Sequence, residues 1–235
     1  MKLNCDLQNQ LKKSVAKKAV EFVKEGMLIG LGTGSTTAFF IDSLIEKCRA
    51  GLKIKAVASS LHSSEKAKAG GIPLLSMDAV NRIDLTIDSA DEIDSKLRCI
   101  KGGGGALLRE KIIASTSKKV IIIADESKLV PMLGKFGLPI EILPFGYHAT
   151  IAKIHSAGYE GSLRTKDGLP YLTDNGNFIY DIQKTEGFIE PEKDHKVLIQ
   201  FPGVVETGFF ISSLLGLVSL QILVAYKNGN IDFIT

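Results

Sequence analysis

The chain has 235 residues, 45% hydrophobic and 23% charged, enough for one large or two modest globular domains and outside the range of a disordered or fibrous chain. Its net charge of +3, 29 basic against 26 acidic residues, comes without any block of five like charges, so a small anionic ligand is favoured over a nucleic-acid partner. Cys5, Cys48 and Cys99 are odd in number, far apart and outside any CxxC pair, so neither a disulfide framework nor a zinc site is indicated; they fit a reducing cytosol, as does an N-terminus without a signal-peptide core.

Leu11, Val15, Ala19, Phe22 and Val23 recur at helical spacing and predict an amphipathic helix that stops at Gly26. Met27–Leu31 then reads as a buried strand, Gly32–Ser35 as a loop, and Thr36–Cys48 as a helix with Phe40, Leu44 and Ile45 inward. Strands at Ile54–Ala58, Ile72–Leu75, Asp84–Ile87 and Val120–Ala124 alternate with helices at Ser63–Ala69 and Ala106–Thr116. That alternation is the pattern of a parallel, doubly wound α/β sheet covered on both faces.

After about Pro131 the character changes. GKFGLPIEILPF is punctuated by proline, and Tyr147–Ala157, Tyr171–Leu172, Asn177–Asp181 and Lys196–Gln200 predict a second, smaller α+β domain of short helices and antiparallel strands. Gly208–Tyr226 is a run of 19 uncharged residues, long enough for a spanning helix, but Ser212, Ser213, Ser219 and Gln221 interrupt it. Its end reads better as β: Ile222–Tyr226, the turn Lys227-Asn228-Gly229-Asn230, then Ile231–Ile234 form an Asn-Gly hairpin. No membrane span is expected.

Glycine is the compositional deviation, with 23 in all, three within 30–34 and four in the run 102–105. Ordering glycine costs entropy, so each cluster asks what the backbone must approach. The loop Gly30-Leu31-Gly32-Thr33-Gly34-Ser35-Thr36 joins a strand to a helix, where backbone amides, the positive helix end and two hydroxyls suit an anion. It has neither the spacing of a dinucleotide fingerprint nor the lysine of a P-loop, so a small phosphate ester fits best; a tight turn with no ligand is the alternative. Asp88-Ser89-Ala90-Asp91-Glu92 follows one apolar strand and Asp125 another, which puts carboxylates at the carboxyl edge of the sheet, where open α/β sheets bind ligands. Solvated turns, N-caps or a magnesium site compete with that reading.

Lys101 opens the four-glycine run ahead of a helix, a row of amides beside a lysine that suits a developing oxyanion, a hydroxyl or a phosphate. Glu110 falls on an apolar arc with Ala106, Leu107, Ile113 and Ala114; Arg109 and Lys111 point about 100° to either side, where solvent or partners are expected to reach them, and Leu108 with Ile112 suggests packing on the far side too. Desolvation there pushes a carboxyl pKa up towards neutrality, as a general base requires, with a buried ion pair as the alternative. His62, His148, His155 and His195 are scattered and no GxSxG elbow is present, so neither a zinc site nor a hydrolase nucleophile is expected.

Taken together, GLGTGSTTAFFID, DLTIDSADEID, IKGGGGALLREKIIA, IIIADESKLV, GKFGLPIEILPF, TDNGN and PGVVETGFF, in order from about Leu11 to Phe210, closely resemble the type A family of ribose-5-phosphate isomerases. The resemblance implies a Rossmann-like large domain over 1–132 and 207–235, with a small ferredoxin-like α+β domain inserted at 133–206. It implies interconversion of D-ribose 5-phosphate and D-ribulose 5-phosphate through a cis-enediol(ate), in the pentose phosphate pathway, without metal or cofactor. By matching motif, Glu110 would move the proton between C2 and C1, Asp88 and Asp91 would serve ring opening and hydroxyl proton exchange, and Lys101 with the Gly102, Gly103 and Gly104 amides would stabilise the enediolate oxygen or bind the substrate. Thr33, Gly34, Ser35 and Thr36, then Ser89 and Ala90, then Lys128, Lys12 and Asp125 complete the implied substrate-binding and supporting set.

The family setting is a cytoplasmic homodimer or homotetramer whose partner is a small sugar phosphate, with no nucleic acid and no membrane. Position 89 is Ser where the family usually has Gly, and 211–221 is more apolar than the family's usual tail, so the local turn and the last strands are where this chain is expected to differ. The rivals are a sugar-phosphate sensor, or a deaminase or CoA transferase on the same fold. About 26 residues before the first strand are too few for a helix-turn-helix, and a sensor has no use for Glu110, Lys101 and both aspartates together.

Overall fold

A computed structural model describes residues 5–216 and 220–235. The stripe Leu11, Val15, Ala19 forms α1 (Cys5–Val20), which ends before Gly26 because Glu21, Phe22 and Val23 close single tight turns onto the carbonyls of Lys18, Ala19 and Val20. Val23 is buried all the same. Next come β1 (Leu28–Leu31), α2 (Ser35–Arg49), β2 (Lys55–Ala58) and α3 (Leu61–Ala69). The strand expected at Ile72–Leu75 is reduced to a single bridge between Leu74 and Ala56, because Pro73 has no N–H with which to continue a ladder.

β3 (Leu85–Ser89) runs two residues past its expected end and carries Asp88 into the sheet. It is followed by β4 (Glu92–Ile93), β5 (Cys99–Ile100), α4 (Leu107–Ser115) and β6 (Val120–Asp125). Beyond them lie β7 (Leu138–Ile142), α5 (Tyr147–Ser156), β8 (Gly161–Leu163), β9 (Thr165–Lys166), β10 (Leu169–Pro170) and β11 (Phe178–Ile182). The chain continues through α6 (Pro191–Leu198), β12 (Val204–Thr207), β13 (Phe209–Phe210), α7 (Ser212–Leu215), β14 (Leu220–Ala225) and β15 (Ile231–Ile234).

Contacts divide the chain into two units. The first comprises the residues up to Ala90, Arg109–Leu129 and Leu215–Thr235; the second comprises Asp91–Leu108 and Val130–Leu214.

In the first unit six strands run in the order β15-β14-β6-β3-β1-β2, all parallel except β15, which forms the expected hairpin with β14. Ile29, Leu31, Leu85, Ile87, Ile121, Ile123 and Leu223 alternate onto one face, where they meet Leu11 and Val15 of α1 and Phe40, Ile41 and Leu44 of α2. Val57 of β2, Ile83 ahead of β3 and Ile113 of α4 form a cluster of their own. A parallel sheet wound with helices in this way is a Rossmann-like α/β fold, and strands covered twice read as unbroken apolar runs, as Val120–Ala124 does. Each such aliphatic side chain contributes about 1.5–3 kcal/mol on full burial.

The uncharged run 208–226 is divided among β13, α7 and β14, with Leu217, Val218 and Ser219 outside the described residues. Ile211, Leu215, Leu220 and Ile222–Ala225 are buried, and no helix among the described residues is long and apolar enough to cross a membrane.

In the second unit β7, α5, β8, β11, α6 and β12, with the small β9-β10 hairpin between β8 and β11, make a βαββαβ sequence, and its four strands lie antiparallel in the order β12-β7-β11-β8, the ferredoxin-like arrangement. Ile140, Ile142, Ile154, Tyr180, Ile182 and Phe188 fill its core. A three-stranded sheet, β13-β5-β4, belongs to the same unit, so residues 91–108 group by contact with the inserted strands. The Lys101 N–H donates to Gly208 O, and the Gly208 N–H to Pro139 O.

Candidate active site

In the first unit the chain leaves β1 for β2 on one side and comes back to β3 on the other. The carboxyl ends of β1 and β3 therefore flank the switch point at which open α/β sheets leave a ligand crevice. Asp88 and the first glycine loop stand there. Asp88 is 1% exposed, and its Oδ1 accepts the N–H of Thr33 at 3.1 Å and of Ser89 at 2.7 Å. A Cβ at position 32 would lie 2.0 Å from Asp88 Oδ1, and one at position 30 would lie 2.0 Å from Thr86 Oγ1. Two of the loop's three glycines are thus set by the close approach of β3. Gly34 N-caps α2 without a side-chain cap, so no capping oxygen competes for the first-turn amides of this 15-residue helix.

Hydroxyls surround the loop. Thr33 Oγ1 lies 2.7 Å from Ser59 Oγ and 2.9 Å from Ser60 Oγ; Ser60 Oγ donates to Ser63 Oγ at 3.1 Å, and Ser63 Oγ to Gly32 O at 2.7 Å. Lys12 Nζ, from α1, donates to Ser35 Oγ at 2.9 Å. Ser89 Oγ donates to Thr33 O at 3.0 Å, so the serine that departs from the resembled motif ties β3 to the loop. Gly34 and Ser35 are exposed, whereas Thr36 and Ala90 are buried.

Asp125 ends β6 fully buried. Its Oδ1 accepts the Ser127 N–H at 3.0 Å and the Ser127 hydroxyl, capping the 3₁₀ turn Glu126–Lys128 that carries the half-buried Lys128. Glu110, on α4, is 4% exposed, in keeping with the apolar arc on which it falls. The flanks of that helix are a correction. Lys111 is buried and Ile112 is 44% exposed, because the buried arc widens past Ala114 to take in Lys111 and leaves Ile112, about 200° round from Glu110, outside.

In the second unit Asp91 Oδ2 accepts the Gly103 N–H at 2.8 Å. Glu92 is buried, and its two oxygens accept the N–H groups of Gly134 and Phe136, each at 2.6 Å, so the last carboxylate of the acidic cluster fixes a turn. Lys101 is 2% exposed, with Nζ 5.2 Å from the centre of the Phe210 ring. The Gly105 N–H closes a turn on Gly102 O at 3.0 Å.

Two residues that the sequence did not single out hold this run. Arg164 Nη1 donates to Gly102 O at 2.8 Å and to Gly103 O at 3.2 Å, and the Tyr171 hydroxyl to Gly104 O at 3.3 Å. No motif spacing marks either, since each pairing spans more than sixty positions. Among the described residues no three His, Cys, Asp or Glu side chains group as a metal site.

The arrangement also has counterparts. A family profile for ribose 5-phosphate isomerase A (phosphoriboisomerase A) matches residues 55–228. The ribose-5-phosphate isomerase A of Protochlamydia amoebophila is 51% identical over 219 residues, 93% of this chain and 92% of the relative. The solved ribose 5-phosphate isomerase from Plasmodium falciparum superposes with a TM-score of 0.91 at 36% identity, covering 97% of this chain and 98% of that one. A solved D-ribose-5-phosphate isomerase in complex with phospho-erythronic acid gives 0.90 at 36% identity over 99% of each chain. With likeness of sequence and of fold extending over nearly its whole length, the chain belongs to the ribose 5-phosphate isomerase A family.

Proposed function

We propose that this chain is an aldose–ketose isomerase that interconverts D-ribose 5-phosphate and D-ribulose 5-phosphate through a cis-enediol(ate). Membership of the family supports the reaction, and the complex of a relative with phospho-erythronic acid supports the intermediate, because a planar anionic carboxylate resembles an enediolate in shape and charge. The observation in this chain that carries the reading is Glu110, a carboxylate 4% exposed on an apolar helix face.

In this reading Glu110 takes the proton from C2 of the open-chain aldose. The C–H electron pair becomes the C1–C2 double bond, the carbonyl oxygen takes up negative charge, and the proton is returned at C1. Lys101 and the glycine-run amides offset that charge. Asp88, steadied by the Thr33 amide, and Asp91, steadied by the Gly103 amide, serve ring opening and proton exchange between O1 and O2. The α2 N-terminus with Thr33, Gly34, Ser35, Thr36 and Lys12 suits the phosphate, and Lys128 adds a cation whose place Asp125 sets through the turn it caps. Ser89, Ala90, Gly102, Gly103 and Gly104 complete the substrate contacts.

We assign 1–132 and 207–235 to the catalytic domain and 133–206 to its insert; the return of β14 to pair with β6 supports the place of the last strands, while 91–108 and β13 group by contact with the inserted strands. A place in the pentose phosphate pathway, a cytoplasmic setting, a homodimeric or homotetrameric state and chemistry free of metal and cofactor belong to the same proposal. The test is to follow ribulose 5-phosphate from ribose 5-phosphate in the presence of EDTA, in parallel with Glu110→Gln. EDTA is expected to leave the rate unchanged, and Glu110→Gln to lower kcat by about 10²–10⁴-fold. Activity lost to EDTA overturns the metal-free chemistry, and a fully active Glu110→Gln removes the base.

A further inference from the structure

We propose that Arg164 and Tyr171, both in the inserted segment, are positioning residues that hold the run Lys101–Gly105 in the shape the isomerisation uses; this rests on the isomerase reading above. Four successive glycines have soft backbone torsions, so their own conformational preferences do not decide which way the peptide planes of the run face. In a trans peptide the carbonyl of one residue and the N–H of the next point in opposite directions, so fixing three successive carbonyls fixes the three amides that follow. Arg164 and Tyr171 take the carbonyls of Gly102, Gly103 and Gly104. Of the amides so aimed, that of Gly103 goes to Asp91 Oδ2 and that of Gly105 back to Gly102 O. Among the described residues, the Gly104 amide is directed at neither, which leaves it for the oxyanion.

The two holders are themselves held. Asp181, on β11, accepts Arg164 Nε at 2.8 Å and Nη2 at 2.5 Å in a two-pronged fork, which leaves Nη1 for the glycine carbonyls. The Tyr171 N–H donates to Arg164 O at 2.9 Å. Glu141, fully buried on β7, accepts Thr173 Oγ1, Asn175 Nδ2 and Asn177 Nδ2 on a single oxygen at 3.0, 3.0 and 2.8 Å, pinning the loop that follows Tyr171. Gly105, at φ +79°, closes beneath Tyr171, where a Cβ would lie 2.4 Å from the hydroxyl oxygen. An Arg164–Asp181 salt bridge that served stability alone would have no need of the two glycine carbonyls on Nη1. A lysine at 164 keeps the charge but cannot offer the fork and two carbonyl bonds together.

The experiment measures kcat, KM and thermal unfolding for wild type, Arg164→Ala, Arg164→Lys and Tyr171→Phe, with amide hydrogen exchange over 101–106. Arg164→Ala and Arg164→Lys are expected to lose about 10²-fold in kcat with KM within about threefold, the signature of a displaced transition-state donor. Tyr171→Phe loses about two- to tenfold. Added guanidinium restores part of the kcat of Arg164→Ala and none of Arg164→Lys, and exchange over 101–106 quickens in both. The proposal is overturned if Arg164→Lys keeps kcat within twofold, if the loss is confined to KM, if kcat falls only in step with unfolding and without guanidinium rescue, or if exchange over 101–106 is unchanged. The exchange arm reads the loop whether or not wild type turns over ribose 5-phosphate; an inactive wild type sinks the isomerase reading alone.

Discussion

The loop at 30–36 and the run at 101–105 are both rich in glycine, yet neighbouring atoms press on the first and pull on the second. At 30 and 32 the side chains of Thr86 and Asp88 occupy the space a Cβ would need, so the sheet itself moulds the loop. At 102–104 the carbonyls are gripped by Arg164 and Tyr171, and the loop takes its form from hydrogen bonds supplied by the inserted segment. Positions 30 and 32 therefore have no room for added volume, and neither does Gly105 beneath Tyr171, whereas Gly103 faces the ends of side chains that can turn, so there the loss of a donor to the carbonyls weighs more than an added methyl.

The largest expected contrast is between two alanines. Gly32→Ala puts a methyl 2.0 Å from Asp88 Oδ1, which is predicted to reduce stability by about 1–3 kcal/mol and kcat/KM by about 10²-fold. Gly103→Ala meets Asp91 Oδ1 at 2.7 Å and Phe136 Cζ at 2.9 Å, both ends of side chains that can turn, so it is predicted to reduce stability by less than about 1 kcal/mol while still lowering activity through Asp91. Urea unfolding of the two variants breaks the contrast if they are equally destabilised.

A smaller effect is predicted for Ser89→Gly, which restores the residue usual in the family. It deletes the bond to Thr33 O and frees the backbone, for a loss of about 0.5–1.5 kcal/mol in thermal unfolding; an unchanged midpoint would show that this bond contributes nothing.

The smallest effects lie at the two ends of the pH scale. The Leu28 N–H bond, reinforced by Lys118, holds the Asp84 carboxyl below its ordinary value. Its contribution is complete above the unfolded pKa of about 3.9 and is lost as pH falls through the lowered folded value. Burial, with the charge of Asp174 adding to it and that of Arg164 opposing it, pushes the Tyr171 hydroxyl up. Its contribution is complete below the unfolded pKa of about 10 and is lost as pH rises through the raised folded value. Asp84→Asn is therefore predicted to flatten the acid limb of unfolding midpoint against pH, and Tyr171→Phe the alkaline limb. Exchange of those two outcomes would show that the tyrosine does not act through its hydroxyl.

Much of this architecture is legible from pattern. Alternating strands and helices, the carboxyl edge with Asp88 and the burial of Glu110 all follow from periodicities of two and about 3.6 residues, which are local properties of the chain. What escaped is either a local exception or a long-range pairing. Pro73 removes a strand that its apolar neighbours predict, and the position of Lys111 depends on how far the buried arc of α4 extends. The grouping of 91–108 with the inserted strands depends on β5 meeting β13, and the grip on the glycine run depends on one arginine and one tyrosine in otherwise ordinary polar sequence. Of the acidic cluster, Glu92 could not be told from its neighbours before its two backbone partners were seen.

The place of β14 bears on how the chain acquires its fold. Its whole length pairs with β6, Leu220 with Val120 through to Ala225 with Asp125, and α1 packs on both strands. The ferredoxin-like segment lies between them in the chain, so it is synthesised while the edge of β6 still lacks its neighbour. Closing a parallel pair across so long a separation carries a large loop-closure entropy, and such pairings form slowly. The insert, whose strands pair over shorter separations, has time to fold first, and a bare β6 edge in the nascent chain is the point most open to misassembly. Helix α1 thus completes its packing only when β14, on the far side of the insert in the chain, has joined β6.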